Sequence, residues 1–203
     1  MNGIRISILI QSRTRMLKSG SRARKPLMLK HIRWIPPISR WLKVNVDGAA
    51  SGAPGPAGCR GLFRTNRGFV KGCFFHYIWN ALALEAELCA MIKAIRYDVL
   101  HGWNDIWIES DSSIAVQILQ DPSRNVPWRM LTEWVDCLRL AESISVEVLH
   151  VYHEANQTVN ALSKRAIIEV SSCWSFVAHE FCECFVQADS RCDVYTHFCK
   201  APF

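Results

Sequence analysis

The hydrophobic residues of this chain change their spacing partway along, and that change limits the fold more than any other feature. From residue 42 they alternate. Leu42, Val44 and Val46 are interleaved with Lys43, Asn45 and Asp47, the period-2 pattern of a half-buried strand. Two further apolar-rich runs, around 59–65 and 69–78, are joined by Asn66-Arg67-Gly68, a three-residue link with glycine that reads as a hairpin. From residue 81 the spacing becomes helical. Leu84, Leu88, Met91, Ile92, Ile95 and Val99 mark one face of a helix that Gly102 stops. Strand spacing returns at 105–109 and at 145–151. Between them, Ser112 or Ser113 can cap a short helix through Leu119, which Pro122 ends, and Pro127 suits the first turn of another that runs to about Ala141. The stretch 156–167 reads as a last amphipathic helix. The order βββαβ(αα)βα predicts an α/β fold, a five-stranded mixed sheet flanked by helices, in one domain over 41–168.

Charge divides the chain differently. Residues 1–46 hold eleven Lys or Arg and no acid, so the first carboxylate is Asp47; the remainder carries 13 basic and 18 acidic residues. Residues 1–40 lack a sustained period and read as a basic arm without regular structure. Three readings of the arm stand side by side: a polyanion-binding tail, an organelle transit peptide, or upstream sequence without a role. No apolar run reaches the ~20 residues needed to span a bilayer, so no membrane association is expected. Cys59, Cys73, Cys89 and Cys137 are scattered singly among apolar residues, as free thiols are in a reducing compartment. An intracellular place, nucleus or cytoplasm, follows, with an organelle as the alternative from the basic N-terminus. Residues 169–203 form a Cys- and aromatic-rich extension. Its His179, Cys182, Cys184, Cys192, His197 and Cys199 suggest zinc, but Cys182 and Cys184 are too close for the usual knuckle, and a loosely folded extension is expected. A monomer is the default.

Three acids occupy comparable places in three elements. Asp47 ends the first strand, Glu87 lies in the first helix, and Asp111 directly follows the fourth strand. Carboxylates at neighbouring strand ends and on an adjacent helix can converge, and hard cations such as Mg²⁺ take oxygen ligands that also supply compensating charge. Glu85 competes with Glu87, since both lie at the margin of the apolar stripe and periodicity does not choose. Glu109 competes with Asp111, but alternation turns it away from Ile108 and towards the surface.

The motifs around these acids resemble those of one family. Leu42-Lys43-Val44-Asn45-Val46-Asp47-Gly48-Ala49, Ala86-Glu87-Leu88, Glu109-Ser110-Asp111-Ser112, and His150-Val151-Tyr152-His153-Glu154-Ala155-Asn156 with Asn160-Ala161-Leu162 look like the successive motifs of RNase H-type domains in plant non-LTR retroelements. Trp34-Ile35-Pro36-Pro37 and Trp41 look like their lead-in. The resemblance implies an RNase H-like fold with strand order 3-2-1-4-5. It implies a ribonuclease acting on the RNA strand of RNA–DNA hybrids with Mg²⁺, or Mn²⁺, as cofactor. Asp47 would be the ligand shared by two ions, Glu87 would bind one and Asp111 the other. His150 would help protonate or release product. The resemblance, and not the spacing, selects Glu87 over Glu85.

Departures from that pattern matter too. The family's fourth acid corresponds to Asn160, whose amide oxygen can ligate a metal but brings no charge. Arg60 stands where glycine is usual, and Thr65-Asn66 replaces the Asp that commonly follows Arg64; both read as relaxed constraint. The alternative function is a catalytically degenerate, retroelement-derived domain that binds nucleic acid, and a weaker one is a protein-interaction module.

Overall fold

A computed structural model of the chain describes residues 14–16, 27–121, 123–156, 159, 170–177, 187 and 195–200. Two strands come first, β1 (Thr14–Met16) and β2 (Leu27–Ile32). The alternating run becomes β3 (Leu42–Ala50), followed by β4 (Gly55–Arg64) and β5 (Val70–Ala81). Then come α1 (Ala83–His101), β6 (Asp105–Ser110) and α2 (Ser113–Gln120). A 3-10 turn (Trp128–Met130) leads into α3 (Leu131–Ala141), and β7 (Ser145–His150) ends in a second 3-10 turn (His153–Asn156). β8 (Cys173–Ser175) and β9 (Tyr195–Lys200) are the last strands among the described residues.

The main sheet has the order β7-β6-β3-β4-β5-β8. β3, β4, β5 and β8 pair antiparallel in succession, while β6 runs parallel to both β3 and β7. This is the expected five-strand order with one strand added outside β5. Local signals act as the sequence predicts. Gly102 takes a left-handed conformation (φ 65°) and caps α1, as a residue without Cβ does at low cost. The Ser112 side chain accepts a hydrogen bond from the Ala115 N–H at the start of α2.

Three expectations need correction. The basic arm is not without regular structure throughout, because β2 pairs antiparallel with β1 and with β9 in a separate three-stranded sheet. Its run Leu27-Met28-Leu29-Lys30-His31-Ile32 has enough apolar content for a strand, and the surrounding charges hid it. The boundary at 168 also falls short, since β8 of the extension joins the main sheet. The Trp174 ring stacks on Tyr97 at 4.3 Å and on His101 at 4.7 Å, and lies where a Cβ on Gly72 would stand. Third, Glu109 is buried rather than at the surface. The closing helix expected over 156–167 lies largely outside the described residues, as does the cysteine cluster proposed for zinc.

The core sits on one face of the sheet. Val44, Val46, Ile106, Ile108, Val146 and Val148 pack against Leu88, Met91, Ile92 and Ile95 of α1 and against the apolar sides of α2 and α3. The opposite face holds a small apolar group, Leu62, Cys73 and Val159, beside polar side chains equally withdrawn from water. Lys43, Asn45, Asp47, Arg60, Arg64 and Glu109 are all buried there. Lys43 Nζ contacts Glu109 Oε1 at 2.5 Å and lies 3.8 Å from the Trp107 ring centre. The Arg64 guanidinium donates to Asn45 Oδ1 at 2.6 Å and stacks 4.1 Å from Trp34. Trp34, in the Trp-Ile-Pro-Pro lead-in, donates to the same oxygen at 3.3 Å and thereby covers this face.

Candidate metal centre

Sequence geometry brings the three acids together. β6 runs parallel beside β3 with Asn45 opposite Glu109, so the positions two residues on, 47 and 111, arrive at the same end of the sheet. Gly48 brings in the third. A Cβ at Gly48 would stand 2.2 Å from the Ala86 carbonyl carbon and the Glu87 amide nitrogen, so only glycine lets α1 lie directly on β3 here. That contact holds Glu87 beside Asp47. One carboxylate oxygen from each of Asp47, Glu87 and Asp111 lies within 4.8 Å of the other two.

Three like charges so close, and largely withdrawn from water, oppose their own ionisation. The Glu87 carboxyl is pushed from its ordinary 4.5 up to about 9, by burial first and then by the negative charges of Asp47 and Asp111. Hydrogen bonds from the Ser110 hydroxyl (3.4 Å) and the Gly48 N–H partly oppose the rise. A divalent cation would reverse the balance, since it gains from every charge the acids find costly to hold. The donor set is all oxygen, which suits a hard ion such as Mg²⁺ or Mn²⁺.

The rivalry between Glu85 and Glu87 has a structural outcome. Glu85 Oε2 accepts the Leu82 N–H at 2.8 Å and lies 3.6 Å from Arg129, so it serves the start of α1 and faces away from the cluster. Glu109 is likewise engaged elsewhere: besides Lys43, its Oε2 accepts from Asn45 Nδ2 at 3.0 Å.

His150 is exposed, and its Nε2 lies 3.1 Å from the backbone oxygen of Asp111, not from the carboxylate. Asn160 lies outside the described residues. Two neighbours went unassigned by the sequence reading. His153 Nδ1 is 2.7 Å from Asp111 Oδ2, and Asn156 Nδ2 donates to the Val46 carbonyl at 2.9 Å while lying 3.4 Å from Asp111 Oδ1. Asn156 Oδ1 also accepts from Asn45 Nδ2 at 3.2 Å, so this amide connects the polar face to the acid cluster. Both residues stand in the motif His153-Glu154-Ala155-Asn156. The signal was present, but spacing gave it no role.

Comparison with known proteins bears on the family and the fold. The reverse transcriptase-like family matches residues 45–166, more than half of the chain. A protein of Arabidopsis thaliana named for ribonuclease H is 31% identical over 147 residues, which cover 70% of this chain. The match takes in only 23% of that relative's length. Among solved structures, RNase H1 of the archaeon Halobacterium salinarum superposes with a TM-score of 0.58 at 22% identity, over 64% of this chain and 99% of that one. The N-terminal RNase H domain of a Mycobacterium tuberculosis protein gives 0.59 at 21%, over 64% and 94%. LC11-RNase H1, solved in complex with an RNA/DNA hybrid, gives 0.58 at 20%, over 64% and 98%. The chain belongs to the reverse transcriptase-like family, and its central body is an RNase H-type domain.

Proposed function

We propose that this domain hydrolyses the RNA strand of RNA–DNA hybrids, cutting internally, with Mg²⁺ or Mn²⁺ bound by Asp47, Glu87 and Asp111 and by the amide of Asn160. The observation that carries the reading is the convergence of three carboxylates within 4.8 Å. The Glu87 carboxyl is pushed up to about 9 by burial and then by its neighbours' charges, a rise that a bound cation would offset. Divalent ions held by these residues would supply activation of a water and charge stabilisation for the departing oxygen of a phosphodiester. The chain's own residues do the rest. Gly48 and the end of β6 fix the spacing of the acids, so little reorganisation accompanies binding. Asn156 and His153 hold the Asp111 carboxylate from two sides. His150, exposed at the end of β7 and 3.1 Å from the Asp111 backbone oxygen, would act on the leaving group. Asn160 brings no charge, so three carboxylates share the load and occupancy calls for a higher metal concentration. The basic residues of 1–33 would add sequence-independent attraction to phosphates.

A labelled RNA–DNA hybrid incubated with the purified chain, first in Mg²⁺ and then in Mn²⁺, tests the reading. Cleavage confined to the RNA strand and stronger in Mn²⁺ is expected. Asp47→Asn should abolish it, and Asn160→Asp should raise activity at low metal. If folded wild-type and Asn160→Asp proteins are both inert at every metal concentration, the enzymatic reading fails and a binding domain without catalysis takes its place.

A further inference from the structure

Arg60 has no part in the reading above, yet it is among the largest side chains wholly withdrawn from solvent. It sits on β4 directly opposite Asp47 on β3, so both side chains leave the sheet on the same face. Arg60 Nε lies 3.8 Å from Asp47 Oδ2. A guanidinium does not lose its proton in a protein, so this buried charge is permanent. A permanent buried cation is tolerated where a carboxylate faces it. The carboxylate that faces this one belongs to the cluster that most needs a cation.

We propose that Arg60 is a built-in counter-ion of the acid cluster: its fixed charge stabilises Asp47 in the metal-free protein and competes there with a divalent ion. Arg60 is a positioning residue, acting through Asp47. It makes the empty site tolerable and raises the metal concentration at which the site fills. The metal half of this inference rests on Asp47, Glu87 and Asp111 being ligands; the counter-ion half does not.

The test has two readouts, neither of them cleavage. In the first, Mn²⁺ is titrated into the full chain and free Mn²⁺ is followed by electron paramagnetic resonance. Arg60→Met, which keeps bulk and removes charge, should bind Mn²⁺ at least about tenfold more tightly, as expected when a unit charge within a few ångströms is removed. Arg60→Lys should stay within about threefold of wild type, because the charge remains. Equal affinity in wild type and Arg60→Met overturns the competition, and so does equal tightening in the Met and Lys variants.

The second readout is thermal unfolding in EDTA, with Arg60 in place so that no variant at that position need fold. Asp111→Asn should raise the melting temperature by relieving repulsion among the acids. Asp47→Asn should lower it, because a buried guanidinium loses its carboxylate. A rise for Asp47→Asn as large as that for Asp111→Asn overturns the counter-ion role. If no protein binds Mn²⁺ while the EDTA contrast holds, the metal reading fails and the ion pair stands.

Discussion

The two faces of the central sheet exclude water by opposite means. Towards α1 the side chains are Val44, Val46, Ile106 and Ile108, which pack without direction and lose little if one of them changes shape. On the other face Lys43, Asn45, Arg64 and Glu109 are equally dry, and each depends on a named partner at a fixed distance. Asp47 belongs to this second face. Asp47 is thus anchored in the part of the protein where errors are least forgiven, while Glu87 reaches it from α1. The apolar face supplies cohesion, and the polar face supplies placement.

The largest effect should come from separating a pair on the polar face. Lys43→Ala leaves Glu109 buried without its cation and should cost roughly 3–5 kcal/mol by urea denaturation. A loss below about 1 kcal/mol, the level of an exposed ion pair, would break the contrast between the faces. Next is the point at which the apolar face touches the site. Gly48→Ala puts a methyl group against the α1 backbone and should cost about 1–3 kcal/mol. In the same variant Mn²⁺ affinity should fall, since Glu87 moves with the helix. Unchanged affinity would show that the spacing of the acids does not depend on this contact.

The third prediction concerns pH. The Glu87 carboxyl is raised in the folded protein, so its contribution to stability is intact below pH 4.5 and is lost progressively as pH rises towards about 9. In EDTA, Glu87→Gln should therefore match wild type in acid and exceed it by roughly 3–5 kcal/mol at pH 8. Parallel curves for the two proteins across that range would contradict the raised carboxyl. Smallest is a change within the apolar face itself. Ile95→Val should cost about 0.5–1.5 kcal/mol, with no change in Mn²⁺ affinity.

These contrasts follow the line between what the sequence made legible and what it did not. β3, β6, β7 and α1 were legible because each has a face of one polarity, and periodicity reports faces. The same alternation misled about Lys43 and Asn45, the open side of a half-buried strand, and about Glu109, which it assigned to the surface. Trp34 lies against Lys43 and Asn45, and its approach across the sheet is encoded by no local spacing. Arg60 was read as a lapse in constraint because, without the register of β3 against β4, nothing links it to Asp47. For the site, spacing found three acids in plausible places but could not rank Glu85 against Glu87. The resemblance ranked them, and the capping bond of Glu85 supplies the physical reason. His153 and Asn156 remained hidden because their function depends on where a 3-10 turn delivers them, and such a turn has no hydrophobic period.

The three residues of β8 have a consequence for solubility. An outermost strand displays a row of unsatisfied amides and carbonyls, to which any passing extended chain can bond. β5 would be such a strand along Cys73–Phe75 were it not for Cys173-Trp174-Ser175. Trp174 clamps that cover in place through the rings of α1. A fragment cut at residue 168 would keep all five expected strands and leave this stretch of β5 bare. Such a fragment should self-associate more readily than the full chain, so the short aromatic segment that contributes nothing to the acid cluster shields this part of the sheet edge.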